Sequence, residues 1–204
     1  MSLVIYGKPA SRAFRVLWAA EELGLAYENV AYDYKGDEIK AGAYAAINPN
    51  ASIPAIVDDG RPLFESLAIN LYLARKANRL WPATLHAEAL AYQWTLWAAT
   101  EVESPLGTWY YNTQALPEPE RNARLAGDAA NKVAKKLDVL DAQLARSAWL
   151  AGSEFTIADL NVAGVLYRAP AFGVARWPHV ADWHSRCYAR PAARKAVALR
   201  EARA

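Results

Sequence analysis

The chain has 204 residues, 54% of them hydrophobic and 22% charged, with a net charge of +2 at neutral pH, which is globular rather than disordered and long enough for one large or two small domains. Balanced charge without a long basic run argues against nucleic acid as a partner. The lone Cys187 excludes an internal disulfide framework and a CxxC metal site, and no charged leader or run of about 18 apolar residues occurs, so a soluble cytoplasmic protein with no membrane segment is expected.

"LVIYG" (3–7) is a short apolar run ended by Gly7 and reads as a buried strand. Ser11 precedes "RAFRVLWAAEELGL" (12–25), where Phe14, Leu17, Trp18 and Leu25 fall at helical spacing and Gly24 marks the end. "YENVAYDY" (27–34) reads as a second strand, and "GDEIKAGAYAAI" (36–47) as a short helix stopped by Asn48-Pro49. "PAIVDDGRPLF" (54–64) has the form of a hairpin turning at Asp-Gly, and "SLAINLYLARKA" (66–77) of a third helix. This order, βαβαββα over residues 1–77, predicts a parallel strand pair with an antiparallel edge.

From Leu85 onward no segment reads as a strand. "HAEALAYQWTLWAATEVESPLGTWYYN" (86–112) is a long helix that Pro105 should kink. "PEPERNARLAGDAANKVAKKLDVLDAQLARS" (117–147) is a second, amphipathic one, with Pro117 and Pro119 at its start. "FTIADLNVAGVLYRA" (155–169) opens on Thr156-x-x-Asp159, the form of a capping box. Two terminal helices divide at Pro191. The expected organisation is α/β followed by all-α, with domains at 1–77 and 85–204 and a linker near 77–82.

Three places offer chemistry, each with a plain structural alternative. Ser11 sits between a strand and a helix, where it either caps the helix or donates to an anion held at the helix N-terminus, with Arg12 adding charge. A cis peptide at Ile53-Pro54 would turn the Ile53 N–H and C=O outward to pair with an extended peptide, although Pro54 also suits an ordinary loop-to-strand junction. Glu65 and Ser66 begin a helix; Ser66 is an N-cap by default, or the pair holds a group bearing both an ammonium and a carboxylate. His86, His179 and His184 fall in helical stretches without ligand partners, so neither a metal site nor a Ser-His-Asp triad has support.

Together "YGKPASRAFRVLWAAEELGLAYE", "NPNASIPAIVDDGRPLFESLAINLYL", "FTIADL" and "WHSRCYARPA" resemble the cytosolic glutathione transferases over essentially the whole chain, and Ser11, four residues before Arg15, is similar to the serine-using, theta-like and bacterial branches. The resemblance implies a thioredoxin-like N-terminal domain, an all-helical C-terminal domain, glutathione as co-substrate without a metal, and thiolate attack on a small hydrophobic electrophile in detoxification. It implies Ser11 and Arg12 as catalytic, with Tyr6 the alternative used by other branches, and Lys40, Ser52, Ile53, Pro54, Glu65 and Ser66 as the glutathione site. Ser104, Thr108, Trp109 and Phe172 are the expected electrophile pocket, between the domains, and a homodimer is implied. Ser52 departs from the family, which often has Lys, Arg, Gln or His there for the glycyl carboxylate; Lys40 is the candidate substitute or a surface lysine. The alternatives are a glutathione-dependent peroxidase, reductase, isomerase or dehalogenase on the same fold, or a non-catalytic glutathione-binding scaffold.

Overall fold

The computed structural model describes residues 2–40 and 42–202. They group into two compact units, Met1–Trp81 with Tyr188–Ala204, and Pro82–Cys187.

The first unit is built on a four-stranded sheet in the order β2-β1-β3-β4. Strand β1 (Leu3–Tyr6) alternates between buried and half-buried positions. It pairs parallel with β2 (Glu28–Val30) and antiparallel with β3 (Ala55–Asp58), which pairs antiparallel with β4 (Arg61–Phe64). Leu3 and Ile5 point to one face, where they join Ile56 and the apolar stripes of α1 (Ala13–Leu23) and α3 (Ser66–Ala77): Val16, Leu17, Ala20, Leu23, Ile69 and Leu73. On the other face Ile39, Tyr44, Ile53 and Ala55 form a smaller cluster with Tyr6 and Tyr32. The β3–β4 turn is the expected Asp59-Gly60, both at positive φ as a two-residue hairpin of primed type requires. Helix α1 ends at Gly24 in the left-handed conformation, also as expected.

Two expectations in this unit need correction. The second strand is only Glu28–Val30, because past Val30 the chain turns, with Tyr32 N–H donating back to Val30 O. The segment 36–47 is not one helix but a 3₁₀ turn (Asp37–Ile39) and the short α2 (Ala43–Ile47), divided at Gly42 with φ 67°; Ala41, inside the expected helix, lies outside the described residues.

In the second unit α4 (Leu85–Trp97), a π-helical turn (Ala98–Val102), α5 (Glu103–Tyr110) and a further π-helical turn (Tyr111–Ala115) follow without interruption. The expected kink at Pro105 is taken up as the first of these wide turns. Pro105 lies in the first turn of α5, where its missing N–H costs little, and the carbonyl its ring would crowd, Glu101 O, belongs to the π turn. Helix α6 (Ala123–Leu144) starts later than Pro117; Pro117 caps a 3₁₀ turn, and the α6 N-cap is Asn122, whose side chain accepts from Leu125 N–H at 3.0 Å. Its buried face is Ala126, Ala129, Val133, Leu137, Leu140 and Leu144.

Helix α7 (Ile157–Val165) is buried on every side and opens on the expected capping box, with Thr156 N–H donating to Asp159 Oδ2 at 3.0 Å. The short α8 (Ala169–Phe172) and α9 (Pro178–Tyr188) follow. No helix among the described residues is long and apolar enough to cross a membrane.

The last helix, α10 (Pro191–Glu201), does not continue the second unit as the expected 85–204 boundary had it; residues 203–204 lie outside the described residues. It packs on α1. Arg190 forks onto Glu22 through two 2.7 Å bonds, Lys195 pairs with Glu21 at 2.8 Å, and the small residues Ala193 and Ala196 are fully buried.

Candidate functional site

Sheet register gathers three of the predicted segments at one edge. Tyr6 pairs with Ala55, and Ala55 with Phe64. One step beyond that aligned row lie Gly7, Pro54 and Glu65. The turn after β1, the start of β3 and the junction of β4 with α3 therefore emerge side by side.

Gly7 fixes the closeness of two of them. Its φ is 129°, and an added Cβ would meet Ala13 Cβ at 3.0 Å and Ile53 Cβ at 3.1 Å. A side chain here would push the Ser11 turn away from Ile53.

Ser11 precedes α1 and is half-buried. Its Oγ accepts from Ala13 N–H at 3.0 Å and donates to Lys8 O at 2.7 Å, while Ser11 N–H also donates to Lys8 O at 3.0 Å. The cap position of α1 falls on Arg12, whose side chain makes no cap bond, so Ser11 performs the capping from one residue earlier. Arg12 is exposed. Beside the turn Lys8 pairs with Asp33 and holds that carboxyl below its ordinary range.

The Ile53-Pro54 peptide bond is cis. Among the described residues the Ile53 N–H and C=O take no hydrogen bond. The chain just before them is held firmly. Ser52 O accepts from Tyr44 Oη at 2.7 Å and Asn48 Nδ2 at 2.8 Å, and Ser52 Oγ accepts from the same amide at 3.2 Å. Burial pushes the Tyr44 phenol up to about 12, which keeps it a neutral donor.

Glu65 is exposed and has φ 73° and ψ 107°, an uncommon conformation for a residue with a side chain. It occupies the cap position of α3, which corrects the default reading of Ser66 as the N-cap. Ser66 is the first helical residue, is buried, and its Oγ accepts from Arg15 Nη1 of α1 at 3.3 Å.

Lys40 is not drawn into this group. It is exposed and paired with Asp37 at 2.8 Å. Tyr6 is the last residue of β1, its ring tilted against Tyr32 and edge-on to Tyr44, and burial raises its phenol above the ordinary range, with Tyr32 and Glu28 adding to the shift.

In the second unit the Trp109 and Phe172 rings meet edge-to-face at 5.0 Å, and Phe172 stacks on Trp177 at 6.0 Å. Ser104 and Thr108 lie one turn apart on α5, with Thr108 Oγ1 donating to Ser104 O at 3.1 Å. Neighbouring Glu101 is engaged by Lys136 of α6 at 2.6 Å. Trp94 is buried with its ring edge-on to Trp97, and Cys187 is fully buried. Among the described residues no group of three or more His, Cys, Asp or Glu could hold a metal ion.

The sequence reading passed over Tyr44, Asn48, the Arg15–Ser66 contact and Arg200, whose Nη1 donates to Ser11 O at 3.1 Å. Local spacing carries no signal for the last two, since 51 and 189 positions separate the partners.

The family model for the glutathione S-transferase N-terminal domain matches residues 1–75, and that for the C-terminal domain residues 87–191. The chain is 38% identical to glutathione S-transferase 3 of Zea mays, over 96% of this chain and 93% of that one. It is 30% identical to the disulfide-bond oxidoreductase YfcG of Escherichia coli, over 95% and 93%. Among solved structures it resembles a theta class glutathione S-transferase from Xanthomonas axonopodis pv. citri with glutathione bound, at a TM-score of 0.88 and 29% identity over 96% of each chain.

Proposed function

The chain belongs to the glutathione S-transferase family, and we propose that its thiol-activating group is the Ser11 hydroxyl, with Arg12 adding positive charge beside it. The protein is a glutathione transferase with glutathione as co-substrate. The observation that carries the Ser11 assignment is how its hydroxyl is bonded. The oxygen is pinned by Ala13 N–H, while its single hydrogen rests on a Lys8 carbonyl that already accepts Ser11 N–H. That hydrogen can turn to a thiolate without leaving the carbonyl unpaired. Tyr6 is the weaker candidate, since a phenol raised above its ordinary range is a poorer donor.

The size of the task is modest. A thiol with pKa about 8.5 is about 3% thiolate at pH 7. Lowering it to about 6.5 makes about three-quarters thiolate and takes about 2.7 kcal/mol of preferential stabilisation. One charge-assisted hydrogen bond contributes about 1.5–3 kcal/mol, and the α1 N-terminus adds to it. The activated thiolate then attacks an electrophilic carbon, and the leaving group departs with its electron pair.

In this reading residues 1–77 bind glutathione. The unpaired Ile53 N–H and C=O beside Pro54 pair with its peptide backbone. Glu65 takes the γ-glutamyl ammonium, and Ser66 with the α3 N-terminus takes the adjoining carboxylate. The glycyl end falls to the Ser52 hydroxyl and to Lys40, which must first leave Asp37. The second unit receives the small hydrophobic electrophile, with Trp109 and Phe172 as its apolar wall and Ser104 and Thr108 as polar contacts. We propose a cytoplasmic homodimer. Exposed Tyr72 on α3 and exposed Tyr92 and Leu96 on α4 support it, and sedimentation at micromolar concentration tests it, a concentration-independent monomer counting against it.

A second reading rests on the oxidoreductase relative: the same thiolate attacks the sulfur of a glutathione mixed disulfide, giving oxidised glutathione and releasing the other thiolate. Buried Cys187 has no part in it. Relative rates on an activated aryl chloride and on a mixed disulfide separate the two.

The test of Ser11 is the thiolate absorbance of bound glutathione against pH. The expected result is a bound pKa well below the free value that returns toward it in Ser11→Ala, with kcat falling about 30–100-fold. An unchanged bound pKa in the variant removes Ser11 from the mechanism.

A further inference from the structure

The end of the last helix returns to the turn that carries Ser11. Arg200, in the final turn of α10, donates from Nη1 to Pro9 O at 3.3 Å and Ser11 O at 3.1 Å, and its guanidinium lies 5.8 Å from the centre of the Phe14 ring. The contact is made by an anchored element. Ten residues upstream Arg190 forks onto Glu22, whose side chain is only 6% exposed, and Lys195 pairs with Glu21. Buried Ala193 and Ala196 let α10 lie close on α1.

The turn needs this support for a chemical reason. Its own bonds are short-range: Ser11 N–H and Oγ–H both go to Lys8 O, Ala13 N–H goes to Ser11 Oγ at 3.0 Å, Phe14 N–H to Ser11 O at 3.2 Å and Arg15 N–H to Arg12 O at 3.1 Å. If the Ser11 hydroxyl turns to a thiolate, one of those ties is given up. One of the two carbonyls gripped by Arg200 belongs to Ser11 itself, the residue that must stay in place while this happens, and the other lies two residues earlier at Pro9. A guanidinium suits the task because it stays charged across the working pH range and offers its donors in a fixed plane.

We infer that Arg200 is a positioning residue for thiol activation, holding the Pro9–Ser11 turn from the end of α10 so that the Ser11 hydroxyl is presented to the thiol. The inference rests on the proposal that Ser11 is the activating group. Other charges around the turn are Lys8, already paired with Asp33, Arg12 and Arg15 on the turn and α1, and Lys195 on α10, paired with Glu21.

The test uses the full chain, with Arg200→Ala, Arg200→Gln and Arg200→Lys made alone and on a Ser11→Ala background. Bound-thiolate titration, kcat and KM for glutathione, and thermal unfolding are read for each. Arg200→Ala is expected to raise the bound thiol pKa and lower kcat about 5–20-fold, with KM for glutathione changed less than about threefold. Arg200→Lys recovers most of the loss, because an ammonium can still donate to both carbonyls. On the Ser11→Ala background Arg200→Ala costs less than about a further twofold, since its effect passes through Ser11.

A folded Arg200→Ala protein with an unmoved thiol pKa, or full multiplication of the two losses, overturns the inference. If Arg200→Ala does not fold, Arg200→Gln decides in the same way, a wild-type titration counting against the role. If Ser11→Ala itself leaves the thiol pKa unmoved, the Ser11 proposal falls and this inference with it. If Ser11→Ala moves the thiol pKa and the Arg200 variants do not, only the Arg200 role falls.

Discussion

The edge of the first unit and the core of the second use polar side chains in opposite ways. Around the edge of the first, half-exposed groups hold backbone: Ser11 holds Lys8 O and Ala13 N–H, and Arg200 holds Pro9 O and Ser11 O. Within the second, the enclosed polar groups hold the core. Asp159 has no exposed surface and accepts from Leu150 N–H, Thr156 N–H, Thr156 Oγ1 and Trp183 Nε1. Buried Asn161 donates to buried Thr95, and buried His184 reaches Leu166 O. The contrast separates consequences. A group at the first edge can change partners during a reaction, because water or a ligand can replace what it releases. A group like Asp159 cannot, because each donor it abandons stays buried and unpaired.

The largest effect expected from this contrast is in the second unit. Asp159→Ala leaves two backbone N–H groups, a hydroxyl and an indole N–H without their acceptor. The expected loss is about 3–5 kcal/mol, or about 10 °C in melting temperature for a chain of this size. The fraction that remains folded should bind glutathione as the parent does. Calorimetry paired with glutathione titration checks both, and weakened binding by well-folded protein would break the contrast.

His184 gives the next effect, and it depends on pH. Burial pushes its imidazole down to about 4, against an ordinary value of about 6.5; the bond to Leu166 O opposes this only in part. The unfolded chain therefore takes up the proton first as pH falls. The stability contribution is whole above pH about 6.5 and is lost as pH drops through about 4, amounting to at most about 3 kcal/mol. His184→Gln should flatten that limb of a plot of denaturation midpoint against pH. Parallel curves for parent and variant would mean that carboxylates alone set the acid limb.

How much of this could be read beforehand follows from sequence distance. Ser11 beside α1, the Asp59-Gly60 turn and the Thr156–Asp159 capping box are bonds between near neighbours, so spacing exposes them. The register that brings Gly7, Pro54 and Glu65 to one edge follows once the hairpin and the first strand are recognised. What escaped is long-range pairing: Arg15 with Ser66, Glu22 with Arg190, Asp58 with Lys76, Arg200 with the Ser11 turn. Asp58 reads as a turn residue, yet it is buried and receives both Lys76 and Tyr72 of α3. Such pairs depend on how the helices dock, and one chain's pattern of charges does not encode that. The π turns escaped for a related reason. Pro105 announces that the helix must adjust but not on which side.

The smallest effect sharpens the contrast from the first unit. Ala51 has φ 48°, in the left-handed region where a side chain costs about 1–2 kcal/mol. It is exposed, and its N–H donates to Asn48 O at 3.1 Å, a bond glycine keeps. Glycine removes the local cost but loosens the unfolded chain, which takes back about 0.4–1 kcal/mol. Ala51→Gly should therefore gain about 0.5 kcal/mol, measured as a rise in urea midpoint at unchanged slope. The same variant bears on the site, because Ser52 and Ile53 follow directly. Ser52 O stays held by Tyr44 and Asn48, so glutathione affinity should stay within about twofold of the parent. Higher stability with several-fold weaker binding would show that the stiffness of Ala51, and not those two bonds, keeps the Ile53 peptide groups in position. The edge of the first unit would then depend on its backbone as firmly as the core of the second depends on Asp159.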